Sequence, residues 1–323
     1  MGNLTVAFVG PKDYSKDIGK KSETSDVTYF DNKKGDVTIN IVEPTGYPEK
    51  LASLFYAASL ADIALVVIEK LDATFGECIL MLDCVGIKKG YIVLRNYITK
   101  EQVAPIIKGL ALERYEFIED NPTAIREKLM QEAEDLEPNE AMKMTIFTGS
   151  IPVDRFFDVK GVGTVVLGNV AEGVVKRHDR LKALPGGKTA EVRSIQKHDD
   201  DFDWSAKGDR VGLALKGIDV ADLDRGVVLT NNPDIKSTLS MTVEMKLVKY
   251  WPAPLKEGMV LHIGHWMQFM NARVESVSDD GDWKQPTVKL ALDKALIHLA
   301  SSRAVACYLD GGKLRVVGTF DLS

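Results

Sequence analysis

The feature that most constrains this chain is a change of hydrophobic rhythm well before its middle. From Leu4 to about Leu136, apolar β-branched runs alternate with amphipathic stretches, the pattern of a parallel sheet covered by helices. The expected strands are Leu4 to Val9, Val37 to Val42, Ile63 to Ile68, Tyr91 to Leu94 and a short Tyr115 to Ile118. Thr99 with Gln102 makes a capping box, and Asn121 before Pro122 opens a helix with Ile125, Leu129, Ala133 and Leu136 on one face. The acidic stretch Glu134 to Glu140 contains Pro138, and there the helical period stops. Beyond it come short alternating runs punctuated by glycine, as in small closed barrels whose corners and bulges need that residue. Asn231-Asn232-Pro233-Asp234 reads as a linker, and a second all-β segment runs from Thr238 to Leu322. The expected architecture is an α/β domain over residues 1–142 followed by two all-β barrels over 143–233 and 234–323.

Composition narrows the class. With 323 residues, 45% hydrophobic and 27% charged, the chain is a globular protein of two or three domains. No apolar run is long enough to span a bilayer, so no membrane role is expected, and the N-terminus carries no secretory pattern; the cytoplasm is the expected compartment. Cys78, Cys84 and Cys307 form no zinc or redox spacing and are expected to be buried thiols. A net charge of -6 gives no global attraction to nucleic acid, so DNA is not expected as a partner and any RNA contact must use a local basic patch.

The glycine-punctuated segment carries a specific pattern. Phe156-Phe157-Asp158-Val159-Lys160-Gly161-Val162-Gly163-Thr164-Val165-Val166-Leu167-Gly168-Asn169-Val170 resembles the opening of domain 2 in translation factors of the EF-Tu type. The blocks Glu172 to Lys176, Lys207 to Leu213 and Asp224 to Leu229 continue that resemblance in order. In the last segment, Leu255 to His265 followed by Ala272-Arg273-Val274 resembles the third domain of SelB-like factors. His262 to His265 also spells the four-letter signature of class I aminoacyl-tRNA synthetases. That signature must follow the first strand of a nucleotide-binding fold, whereas this one lies in an all-β region. The chain thus resembles the EF-Tu/SelB-like family of elongation factors, in particular the archaeal SelB-like branch that includes the factor called EF-Pyl. The resemblance implies a P-loop-type G domain followed by two barrels, with aminoacyl-tRNA and the ribosome as partners and GTP with magnesium as cofactors.

Residue by residue, the nucleotide site departs from that family. The phosphate loop corresponds to Gly10-Pro11-Lys12-Asp13-Tyr14-Ser15-Lys16-Asp17. Gly10, Asp13 and Lys16 match, but Ser15 replaces the second glycine and Asp17 the magnesium-binding hydroxyl. A carboxylate near a phosphate costs on the order of 1 to 4 kcal/mol at ~4 Å. The following Ile18 to Asp26 holds one large apolar residue before Val27 and predicts a short or absent helix, with the first switch loop deleted. Glu43-Pro44-Thr45-Gly46-Tyr47 stands at the second switch, where Tyr47 replaces a water-positioning histidine and so cannot orient an attacking water in the same way. Guanine recognition maps onto Arg95, Asn96 and Ile98, and Ile98 cannot accept the base protons. No catalytic residue is therefore expected, and binding of GTP with magnesium is expected to be weak.

The family function that survives is holding a tRNA acceptor end between the first domain and the second barrel. The position of an acidic side chain near the 3' adenosine falls at Gln196, with Lys197 and His198 beside it. The run Asp199-Asp200-Asp201-Phe202-Asp203-Trp204 has carboxylates at calcium-loop spacing, but Trp204 takes the required glycine place, so no metal site is expected. Three functions stand at this stage: a SelB-like aminoacyl-tRNA-binding factor with an impaired G domain, a divergent but working GTP-dependent translation factor, and a nucleotide-independent protein-binding adaptor.

Overall fold

The computed structural model describes residues 2–35, 37–136, 148–198, 200–310, 312 and 314–323. The first sheet has β1 (Gly2–Val9) at its centre, paired in parallel with β4 (Val37–Glu43) on one side and β5 (Ile63–Ile68) on the other. Next in parallel order are β6 (Gly90–Leu94) and β7 (Glu116–Ile118). Leu4, Val6 and Phe8 pack on one face with α4 (Pro122–Asp135), while Ala7 and Val9 face α1 (Leu51–Ser59), α2 (Ala73–Val85) and α3 (Lys100–Ile107), as strand alternation requires. The Asn121 side chain caps α4 by accepting from the Thr123 and Ala124 amides at 3.1 and 3.2 Å. The backbone amide of Thr99 donates to Gln102 Oε1 at 3.0 Å at the start of α3.

One part of this domain differs from the sequence expectation. The residues between Lys16 and Val37 form a single 3-10 turn, Tyr14–Asp17, and then a hairpin of β2 (Lys20–Thr24) and β3 (Thr28–Lys34) that pairs antiparallel on the edge of β4. The segment expected as a deleted switch loop is thus an ordered extension of the sheet. Tyr29 and Phe30 bury on its two faces, in separate clusters, and that tertiary burial holds a stretch whose local pattern is weak.

The second unit closes as a barrel through β8 (Gly149–Val159), β16 (Val228–Thr230), β11 (Arg180–Leu184), β12 (Lys188–Lys197), β15 (Arg210–Lys216) and β9 (Gly163–Asn169), which returns to β8. Flanking it are β10 (Glu172–Lys176), β13 (Asp200–Phe202) and β14 (Trp204–Ala206). The third unit runs in the order β17 (Lys236–Glu244), β21 (Thr287–His298), β20 (Gln268–Ser278), β19 (Val260–His265), β22 (Arg303–Cys307), β23 (Val316–Asp321) and β18 (Lys246–Leu247). Only Met245 separates β17 from β18, so the two ends of this sheet are one continuous piece of chain. The expected boundary at residues 142 and 143 lies outside the described residues, and the expected linker Asn231 to Asp234 runs between β16 and β17.

Candidate functional site

At the carboxyl ends of β1, β4 and β5, the usual ligand crevice of an open α/β sheet, lies a cavity of about 330 Å³ lined by Gly10, Lys12, Glu43, Tyr47 and Glu69 among others. The loop after β1 is held by the protein itself. The Asp13 amide donates to Glu43 Oε1 at 2.7 Å, and Glu43 is buried. Burial raises its carboxyl above the usual range, partly offset by the Asp13 and Ser15 donors. Asp13 takes φ 64°, a conformation tolerated by short polar side chains.

Tyr14 turns from this loop towards the loops after β6 and β7. Its ring stacks on Phe8 with centroids 5.6 Å apart, the Arg95 guanidinium lies 5.8 Å over it, and its hydroxyl donates to Asp120 at 2.7 Å. Burial and the Asp120 carboxylate raise the phenol. Arg95 in turn bridges Glu69 at 2.7 Å and Asp120 at 2.9 Å. Asn96 donates to the Glu69 carbonyl, and Ile98 packs half-buried against the core. Tyr47 faces the third unit: its hydroxyl is 3.1 Å from Glu77, and Glu77 binds Arg315 at 2.5 Å. The Gly46 amide donates to the Asp26 carbonyl.

Lys16 is not with Gly10 and Glu43. It lines a second, larger cleft of about 1000 Å³ between hairpin β2–β3 and the first barrel, together with Gln196, His198 and Arg210, so these residues face the first barrel's side of the molecule and not the second barrel expected from the resemblance. Asp17 is exposed, and its carbonyl accepts from Arg126, which also lines this cleft. The structure thus divides the expected nucleotide residues between two places and joins one of them, Lys16, to the expected tRNA residues. Gln196 is exposed and donates to Asp201 at 3.0 Å. Lys197 departs from expectation: it is 3% exposed, pairs with Asp209 inside the barrel and lies under the rings of Phe202 and Trp204. It belongs to the barrel interior and cannot meet a ligand in the cleft. The signal was there in the period of two, since Lys197 follows the buried Ile195 on the inward face of β12.

Sequence reasoning missed the hairpin's contribution to this cleft. Lys20, Lys21 and Lys33 line it, as do Arg126 and Arg210, and the lysine pairs Lys20-Lys21 and Lys33-Lys34 were the available signal. A chain of net charge -6 thus places a local cluster of cations, Lys16, Lys20, Lys21, Lys33, Arg126 and Arg210, at one inter-domain cleft. In the acidic run beside it Asp199 lies outside the described residues, while Asp200 pairs with Lys33, Asp201 accepts from Gln196, and Asp203 lies near Arg177.

The hairpin is fastened to the barrel by a polar network. Tyr29 donates to Asp154 at 2.8 Å, Arg210 lies 3.5 Å above the Tyr29 ring and 3.2 Å from Asp154, and Arg225 reaches both Asp154 and Asp26. Burial works to raise the Asp26 carboxyl, yet the Arg225 guanidinium bonded to it holds it below the usual range.

Residues 163–230 match the family Elongation factor Tu domain 2. The whole chain is similar to an uncharacterized protein of Methanocaldococcus jannaschii, 35% identical over 320 residues that cover 98% of this chain and 99% of that one. It is 26% identical to the selenocysteine-specific elongation factor of the same organism, over 80% of this chain and 58% of that one. With elongation factor 1-alpha of Methanosarcina acetivorans the identity is 27%, over 72% of this chain and 62% of that one. The chain belongs to the EF-Tu/SelB-like family of elongation factors. The fold is that of elongation factor SelB from Methanococcus maripaludis, solved in complex with the GTP analogue GPPNHP, with a TM-score of 0.82 at 22% identity over 100% of this chain and 79% of that one. An α/β domain followed by two β-barrels is thus the family arrangement. This chain spans about three fifths of the length of the two named elongation factors.

Proposed function

We propose that this EF-Tu/SelB-like factor binds the acceptor end of an aminoacyl-tRNA in the cleft between its first domain and its first barrel, and does so without a working GTP cycle. The observation that carries the reading is the cleft itself, whose lining gathers Lys16, Lys20, Lys21, Lys33, Arg126 and Arg210 around Gln196 and His198. Phosphates bind such a wall by releasing counterions, and the Gln196 amide can hydrogen-bond a ribose hydroxyl. The ribosome and the cytoplasm follow from the same reading, with domains at 1–142, 143–233 and 234–323.

The nucleotide half of the proposal rests on the first crevice. A phosphate loop binds by presenting free amides to an anion. Here Glu43 already takes the Asp13 amide, Tyr14 with Arg95 and Asp120 fills the space at the ends of β6 and β7, and Lys16 lines the other cleft. Gly10, Asp13, Ser15, Asp17, Gly46, Asn96 and Ile98 then remain as residues of a site that does not fit guanosine triphosphate, and Tyr47 braces the third unit instead of a water.

Electrophoretic retardation at low salt, with aminoacylated and deacylated tRNA, tests the first half. The panel should include pyrrolysyl-tRNA, the substrate that the EF-Pyl resemblance suggests. Retention of an aminoacylated species is the expected result, and no retention of any species would favour a protein-binding adaptor. Titration of a labelled GTP analogue tests the second half: tight, magnesium-dependent binding would make this a divergent working GTPase.

A further inference from the structure

A ligand bound at the carboxyl ends of an open α/β sheet organises the loops there, because several loops each lend it one contact. In this protein one of its own side chains receives those contacts. The Tyr14 ring lies against Phe8 of β1, with centroids 5.6 Å and planes 14° apart. The Arg95 guanidinium, from the loop after β6, sits 5.8 Å from the ring centroid, and Asp120, from the loop after β7, accepts the hydroxyl at 2.7 Å. Arg95 extends the set to Glu69 after β5. A stacked face, a cation over the ring and an acceptor at its edge are the contacts that recognise a planar aromatic ligand. Tyr14 is 8% exposed, so no second ring can share its place.

The turn that delivers the ring is pinned on its far side. Ile18 is buried, and its carbonyl accepts from Arg126 on α4 at 2.8 Å and from Asn32 on β3 at 2.9 Å. The Ile18 and Gly19 amides both close on the Ser15 carbonyl. Withdrawing Tyr14 would undo contacts with the loops after β6 and β7 and disturb the anchors on α4 and β3, so the ring is a fixed part of the fold. We propose that Tyr14 is a ligand built into the chain: it occupies the place of a planar aromatic effector and holds the first domain in one arrangement without any bound molecule. This rests on the reading of a first domain that works without nucleotide, and adds to it the group that does the organising instead.

Tyr14→Ala leaves a slot shaped for the missing side chain, and p-cresol, which is that side chain, is the probe. In the full chain the first thermal transition should fall by about 6 °C or more, and saturating p-cresol should return about half of that loss or more. Toluene lacks the hydroxyl for Asp120 and should bind the variant about tenfold more weakly. The unaltered protein and Tyr14→Phe, whose slots are filled, should gain nothing from either compound. Should Tyr14→Ala fail to fold alone, refolding from urea is expected with p-cresol present and not with toluene. An unchanged transition in Tyr14→Ala, no rescue by p-cresol under either protocol, or equal rescue by toluene overturns the built-in ligand and leaves the nucleotide reading standing. Tight, magnesium-dependent binding of a GTP analogue by the unaltered protein overturns that reading itself.

Discussion

The first domain meets its two neighbours by different physics. Towards the third unit the contact is mainly apolar, with the Glu77–Arg315 pair at its side: Phe55, Leu82 and Met81 from α1 and α2 belong to one continuous core with Leu261, Ile263, Val305 and Cys307. Gly264 is part of that seam, since a Cβ there would lie 2.6 Å from the Phe55 ring. Towards the second unit the barrel keeps its own core, and the junction is made of Asp154, Arg210, Arg225, Asp26, Tyr29 and the Lys33–Asp200 pair. An apolar seam makes the first and third units one body, insensitive to salt. A polar junction leaves room for a water-filled cleft, and that is where the cationic lining lies.

Substitutions can break this contrast, and the largest effect is expected at the polar junction. Asp154 has a 1% exposed side chain between two guanidiniums, so Asp154→Ala leaves Arg210 and Arg225 without their shared partner. Loss of one partner of a buried pair costs about 3–5 kcal/mol, read as an earlier first transition in urea. Phe55→Ala should cost about 3 kcal/mol through lost burial and a cavity, with a change that stays constant when sodium chloride is raised. If Phe55→Ala proved as salt-dependent as the junction variants, the apolar account of that seam would fall.

His265 sharpens the picture of the seam by pH. Its Nδ1 donates to the Arg303 carbonyl at 3.0 Å, and burial pushes the imidazole down to about 4. The unfolded chain takes up a proton near 6.5 while the folded one does not, so stability falls as pH drops from 6.5 towards 4. The contribution is at most about 3 kcal/mol, and His265→Asn should flatten the slope in that window. The smallest effect is expected for Lys33→Ala: its pair with Asp200 is exposed, and such pairs are worth under about 1 kcal/mol.

Much of this fold was legible because its elements are locally self-consistent. The runs at Ile63 and Tyr91 are continuous apolar stretches, those at Leu4 and Val37 are β-branched and apolar around Thr5, Thr38 and Asn40, and Asn121-Pro122 announces α4 chemically. Hairpin β2–β3 was not legible, because Lys20 to Lys34 forms strands only where β4 offers an edge and where Asp154 and Arg210 receive Tyr29, both distant in sequence. For the site, Gln196 and His198 were singled out by the family resemblance, whereas Lys20 comes to the cleft only through that hairpin and Arg126 from α4, where it donates to the Asp17 and Ile18 carbonyls. The role of Tyr14 was hidden for the same reason, since its partners Arg95 and Asp120 lie on other loops.

The central claim is that the cleft takes an aminoacylated acceptor end irrespective of nucleotide. Its most direct measurement is the dissociation constant for aminoacylated tRNA taken side by side with no nucleotide, with GTP and magnesium, and with GDP and magnesium. The three values are expected to agree within about twofold, and a tightening of tenfold or more by GTP, about 1.4 kcal/mol of coupling, would contradict the account.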